Sequence, residues 1–164
     1  MNMKRKWAKS AFIALLATAV VSSYTSAVWA AGSDIQTRLN QVSSFAGSGE
    51  FDTENGASSS ASFRSPQGIA LLSDGSVLVA DTNNQLIRQI KNGQVTTFAG
   101  ITFDVNDKGL PLGGLVDGKG TEAVFQRPIE IEADARGNVY VVDADNHAIR
   151  KIDTNGNVTV LAGN

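Results

Sequence analysis

Phe63-Arg-Ser-Pro66-Gln-Gly-Ile69, followed by Asp74-Gly75-Ser-Val77-Leu-Val79-Ala-Asp81-Thr-Asn-Asn84-Gln-Leu-Ile87-Arg88-Gln-Ile90, is the stretch that decides the fold, because it returns later in the chain. The second copy reads Phe125-Gln-Arg-Pro128-Ile-Glu-Ile131, then Arg136-Gly137-Asn-Val139-Tyr-Val141-Val-Asp143-Ala-Asp-Asn146-His-Ala-Ile149-Arg150-Lys-Ile152. The offset is 62 residues, without a gap from Asn55/Asp117 to Ile90/Ile152. A repeat of this length describes units that each bury a face against the next.

Each unit reads as four short strands. In the first copy they fall at about 68–72, 76–81, 86–91 and 94–99; in the second at about 129–133, 138–143, 148–153 and 157–162. Val, Ile and Leu fill these runs and turn residues bound them. Asp74-Gly75 and Arg136-Gly137 turn the chain between the first two strands. Asn92-Gly93 and Asn155-Gly156 turn it between the last two, where both residues tolerate positive φ. The second strand of each unit is apolar at every position, Val77-Leu-Val-Ala80 and Val139-Tyr-Val-Val142. Side chains alternate faces along a strand, so this sheet is expected to be covered on both sides. Four antiparallel strands with both faces covered describe a β-propeller blade. A strand phrase also recurs three times, as Val42–Gly47, Val95–Gly100 and Val158–Gly163. The expected architecture is therefore all-β, with two blades (about 63–100 and 125–163) plus one extra outer strand at 42–47 within a propeller segment 42–164.

The first thirty residues read differently. Lys4, Arg5, Lys6 and Lys9 precede an apolar run, Ala11–Val21, of 11 residues. The run is too short to cross about 30 Å of hydrocarbon, which takes about 20 helical residues. With Val28-Trp-Ala30 after it, residues 1–30 read as a signal peptide cleaved after Ala30, and 31–41 as a flexible lead. The expected location is secreted or extracellular, with cell-wall association open. Without the four leader cations, 10 of the 14 basic residues remain against 16 acidic ones, a net of −6. That balance disfavours nucleic acid and anionic lipid as partners. No cysteine is present, which excludes disulfides, thiolate metal sites and a cysteine nucleophile.

The pattern F-x-x-P…G…V-x-V-x-D-x-x-N-x-x-I-R-x-I…G-x-V-T-x-x-A-G resembles the NHL repeat, a propeller blade, over about Val42–Asn164. The form preceded by D-G…A-x-F looks like that of exported bacterial NHL-repeat proteins. The resemblance implies a ring of about six blades, and the chain has two. It implies further blades, either in a longer chain or from self-association, with three copies making a six-bladed ring. Glu130 stands where the first copy has Gly68, and Arg136 where it has Asp74.

Candidate chemistry is sparse. Asp81 and Arg88, and likewise Asp143 and Arg150, are one diagonal step apart on neighbouring strands. Their recurrence in both copies points to a blade-locking pair, with Asn84 and Asn146 at the turn. Phe63, Pro66, Gly75, Phe125, Pro128 and Gly137 complete the structural positions of the repeat. Asp143 and Asp145 alternate as weak calcium candidates, without the downstream Gly and Glu of an EF-hand loop. His147 is the only histidine, and Ser58–Ser60 read as a solvated linker. The acidic residues Asp104, Asp107, Asp117, Glu122, Glu130 and Glu132 gather around the second long loop. No catalytic residue and no cofactor is expected. The leading expectation is a non-enzymatic binding or scaffold module whose loops, 48–62 and 101–124, contact a protein, glycan or cell-wall partner. The alternatives are a fragment of a metal-dependent lyase or lactonase-type hydrolase, and a structural homo-oligomer completing a six-bladed ring.

Overall fold

Two antiparallel sheets, one per repeat, make up the computed structural model, which describes residues 42–163. The predicted signal peptide and lead lie outside the described residues. The unit that carries all the strands begins at Ser44. Blade one contains β1 (Gly56–Ala57), β2 (Ile69–Leu71), β3 (Val77–Asp81), β4 (Leu86–Lys91) and β5 (Gln94–Ala99), in the order β1-β5-β4-β3-β2. Blade two repeats this with β6 (Gly118–Lys119), β7 (Pro128–Ala133), β8 (Val139–Asp143), β9 (Ala148–Ile152) and β10 (Asn157–Gly163), in the order β6-β10-β9-β8-β7.

The four predicted strands of each unit are present as a meander. The structure adds a fifth. β1 and β6, read from sequence as loop, pair with the free edges of β5 and β10. Glycine and alanine or lysine over two residues carry no strand signal. The pairing arises because β5 and β10 would otherwise leave an edge of unpaired amides and carbonyls.

The extra outer strand expected at Val42–Gly47 does not form. A strand exists through its ladder, and among the described residues no strand lies beside this segment. Gly47 N–H instead donates to Ser58 C=O at 2.8 Å, and Ser48 N–H to Ala61 C=O at 2.8 Å.

The two Asn-Gly turns also differ. Asn92 and Gly93 both have positive φ, 51° and 73°, as a two-residue hairpin of mirror-image type requires. In blade two only Gly156 does, at 82°. The second loop is one residue longer, and the Asp153 carboxylate accepts the Asn155 and Asn157 amides, so Asn155 is released from the left-handed region.

The blades join through one core. Ala70, Leu78, Ala80, Ile87 and Ala99 of blade one are buried in a single cluster with Ala123, Phe125, Ile131, Val139, Val141, Ile152 and Val158 of blade two. β7 lies against β2 and β3. Each aliphatic side chain fully withdrawn from water contributes about 1.5–3 kcal/mol, so this joint holds the unit together. The opposite face of blade one carries a smaller cluster, Ala61, Val79, Ile90 and Val95, with Phe63 and Val77 half-buried beside it. The opposite face of blade two has no covering sheet among the described residues. There β8 alternates, with Val139, Val141 and Asp143 buried and Tyr140 and Val142 half-buried. The expectation of burial on both faces thus holds for β3, beginning at Leu78, and fails for β8.

Candidate functional site

Asp81 and Asp143 end β3 and β8, and each is fully buried. The register sets Arg88 opposite Val79 and Arg150 opposite Val141, which brings each guanidinium diagonally onto its aspartate. Arg88 Nη1 donates to Asp81 Oδ2 at 2.8 Å, and Arg150 Nη1 to Asp143 Oδ2 at 2.9 Å. The same nitrogens also donate to Ser62 C=O and Val124 C=O, both at 3.0 Å. The Nη2 atoms reach back to the long loops: Arg88 to Glu54 C=O (2.9 Å) and Asn55 Oδ1 (2.8 Å), Arg150 to Val116 C=O (2.8 Å) and Asp117 Oδ1 (2.9 Å).

Each carboxylate accepts three protein hydrogen bonds in the same way. Asp81 Oδ1 accepts the Arg64 amide and Asp143 Oδ1 the Gln126 amide, at 2.8 and 2.7 Å. Asn84 and Asn146 each donate one amide to the aspartate and to a loop carbonyl, Asp52 or Gly114. Every contact recurs at the 62-residue offset. The guanidinium carbons of Arg88 and Arg150 stand 5.2 and 5.1 Å from the centroids of Phe63 and Phe125, within range of a cation–π attraction. One buried arginine per blade thus ties two strands, the loop before the blade and an aromatic ring.

Burial raises the Asp81 and Asp143 carboxyls above the ordinary aspartate value, and the donors around them pull the other way without reversing it. Each carboxylate is buried and accepts three protein donors, which leaves at most one acceptor position, on a buried Oδ1, for a substrate or a metal. Asp145, the other weak calcium candidate, accepts from Arg127 Nε at 2.7 Å on the surface. Among the described residues no three His, Cys, Asp or Glu side chains are grouped to hold a metal ion. His147 is exposed at the turn after β8, with positive φ of 53°. Of the acidic residues around the second loop, Asp117 is committed to Arg150, Asp104 caps the Val105 amide, and Glu130 and Glu132 lie out on β7.

Two residues outside the repeat pattern organise this region. Asp134 replaces the missing Asp74 of blade two. It accepts the Arg136 and Asn138 amides, the Asn138 side chain and the Tyr140 hydroxyl, and these bonds hold its carboxyl down to about 2. The sequence signal was present, since Asp134 lies two residues before Arg136. Its folded value lies below the ordinary 3.8, so it adds stability above that pH, and the contribution is lost as pH falls towards 2. Asp134→Ala is therefore expected to lower the melting temperature at pH 7, with the difference from wild type closing between pH 3.8 and about 2; a pH-independent difference would contradict this.

Arg64 is the second. Its Nη2 donates to Phe51 C=O at 2.9 Å and its Nη1 to Gly109 C=O at 3.2 Å, so it pins the tip of each long loop. The insertion 103–115 folds back on itself through a Val105–Pro111 bridge and Asn106 N–H to Leu110 C=O. Phe51 (74% exposed), Phe103 (60%) and Val105 (51%) stand out on these two loops.

Two stacked antiparallel sheets, each locked by an Asp–Arg–Asn set, define a segment of a β-propeller. The chain is built of NHL repeats: the model of the "NHL repeat" family matches residues 63–90. NHL repeat-containing protein 2 from Bos taurus is 36% identical over 127 residues, covering 73% of this chain and 17% of that protein. A structure of a protein of unknown function from Bacteroides thetaiotaomicron superposes with a TM-score of 0.57 at 27% identity, covering 65% of this chain and 26% of the other. An auxiliary nutrient binding protein from the same organism gives 0.53 at 26% identity, covering 70% and 27%. The chain thus spans about a sixth of the curated relatives it matches and about a quarter of these solved structures.

Proposed function

We propose that this chain is the recognition-bearing part of an exported, non-enzymatic binding module, and that its partner docks on the paired loops 48–62 and 101–124. One observation carries the reading. Arg64 holds the two loop tips side by side, and Phe51, Phe103 and Val105 project from them into solvent. Apolar side chains this exposed, on loops fixed to a rigid scaffold, are what a recognition surface uses. Phenylalanine rings flanked by Asp52, Asp104 and Asp107 suit the apolar faces and hydroxyl edges of a glycan. The similarity to a nutrient binding protein is consistent with this class of role. The catalytic alternative has no support in the Asp–Arg pairs, whose carboxylate oxygens and Nη atoms bind strands and loops.

The test is binding of the purified protein to an array of soluble glycans and to insoluble cell wall. Saturable binding is expected, falling at least tenfold in Phe51→Ala/Phe103→Ala while thermal unfolding is unchanged. Binding to no glycan or wall preparation, or binding indifferent to the double substitution, would overturn the proposal. Stoichiometric zinc or calcium in the purified protein would favour the enzyme reading.

A further inference from the structure

The joint between the blades shows what one blade must present to the next. Three features of blade one make it. Gly68 lies so close to β7 that a Cβ there would stand 2.9 Å from Glu130 Cα and from Ile129 C=O. Thr82 Oγ1 donates to Pro128 C=O at 2.7 Å, buried. Gln85 Oε1 accepts the Arg127 amide. Around them Ala70, Leu78 and Ile87 supply the apolar contact.

At the 62-residue offset, the outer face of blade two carries Glu130, Ala144 and His147 at these three positions, and Glu132 and Tyr140 for Ala70 and Leu78. Glu130 and Glu132 are exposed. A further blade stacked in the same geometry would meet the Glu130 side chain where the joint tolerates only hydrogen. It would also bury the Glu132 carboxylate in place of a methyl group and lose the Thr82 hydroxyl bond.

The receiving side is different. Blade one keeps Phe63, Pro66, Ile69, Val77, Val79 and Ile90, the counterparts of the residues with which blade two receives blade one. Ile69 and Leu71 are 69% and 71% exposed, beside a groove of about 310 Å³. Gly47 N–H donates to Ser58 C=O there, as Gly100 N–H donates to Gly120 C=O in the intact joint. Phe45-Ala46-Gly47 therefore sits at the place that Phe98-Ala99-Gly100, the outer strand end of blade one, takes on blade two.

We propose that the two open faces have opposite roles. Blade two's outer face is terminal, closed to a further blade by Glu130 and Glu132. Blade one's open face is a seat for a propeller blade that presents glycine at the place of Gly68 and a hydroxyl at the place of Thr82, and whose outer strand end displaces Phe45-Ala46-Gly47. The described residues of a second copy cannot supply that blade, because the one donor face free among them is the face that Glu130 closes. Three copies therefore do not close a six-bladed ring. The inference does not depend on what the loops bind.

Sedimentation of the purified protein across a concentration series tests this, alongside a variant carrying the joint residues of blade one: Glu130→Gly, Glu132→Ala, Ala144→Thr and His147→Gln. Wild type is expected to stay no larger than a dimer, and the variant to grow head-to-tail into trimers or longer species. Adding Leu71→Asp, on the receiving face, is expected to return the variant to the wild-type mass. Wild-type trimers, a variant no larger than wild type, or growth that survives Leu71→Asp would each overturn the proposal. Glu130→Gly alone, a single exposed change, gives the same comparison if the fourfold variant does not fold.

Discussion

Arg150→Met is expected to lower stability by about 3–5 kcal/mol, the cost of breaking a buried ion pair from one side. The side chain is fully buried, and methionine fills most of its volume. The Asp143 carboxylate loses its counter-charge in a fully buried site. The carbonyls of Val116 and Val124 lose the Arg150 donor and keep only each other's amide, and the loop 116–117 loses its anchor to β9. For a domain of this size, the melting temperature should fall by roughly 10–20 °C. The sign with pH is fixed. Asp143 already has a raised carboxyl, and removing the cation raises it further, so the folded variant takes up a proton that the unfolded chain holds less readily. The penalty should then shrink as pH drops below the folded value and be complete above it. Arg150→Met/Asp143→Asn should cost less than the sum of the single changes, because the second removes the stranded charge. Additive costs would show that the pair is not the unit of stability. The exposed Lys91–Asp74 pair, with both side chains about half in water, should show no comparable effect when broken.

Gly68→Glu is the second large effect. It places in blade one the residue that blade two carries at the same position. The Cβ would lie 2.9 Å from backbone atoms of β7, which cannot move without opening the ladder to β8. Overpacking against main chain, together with a carboxylate drawn out of water, should cost at least about 3 kcal/mol. The joint between the blades should open first. The expected result is an increase in binding of a hydrophobic dye, with strand content largely kept in the circular dichroism spectrum. Gly68→Ala should show the same direction with a smaller loss. A Gly68→Glu protein as stable as wild type would mean that the blades do not meet at β2 and β7.

Much of the architecture is legible from the repeat. Alternation of aliphatic residues, Asp-Gly and Asn-Gly turns and a constant 62-residue offset give the meander of four strands and its register. The Asp–Arg separation of seven residues across a short turn places both side chains on one face, and the structure brings them to 2.8 and 2.9 Å. The loops were less readable. β1 and β6 have no propensity signal, because they form only where an outer strand offers an unpaired edge. Val42–Gly47 has the signal and no strand, because propensity does not supply a partner. Arg64 acts through carbonyls of two distant loops brought close by folding, and such contacts leave no periodic trace.

The sequence by itself determined the repeat, the four-stranded blade and the residues of the lock, since these follow from local alternation and from agreement between two copies. Only the tertiary structure decided what the departures between the copies mean. Gly68 and Glu130 differ by one side chain in a list of residues. They differ by far more where two sheets close to backbone contact, because there the space beyond a hydrogen atom is already occupied.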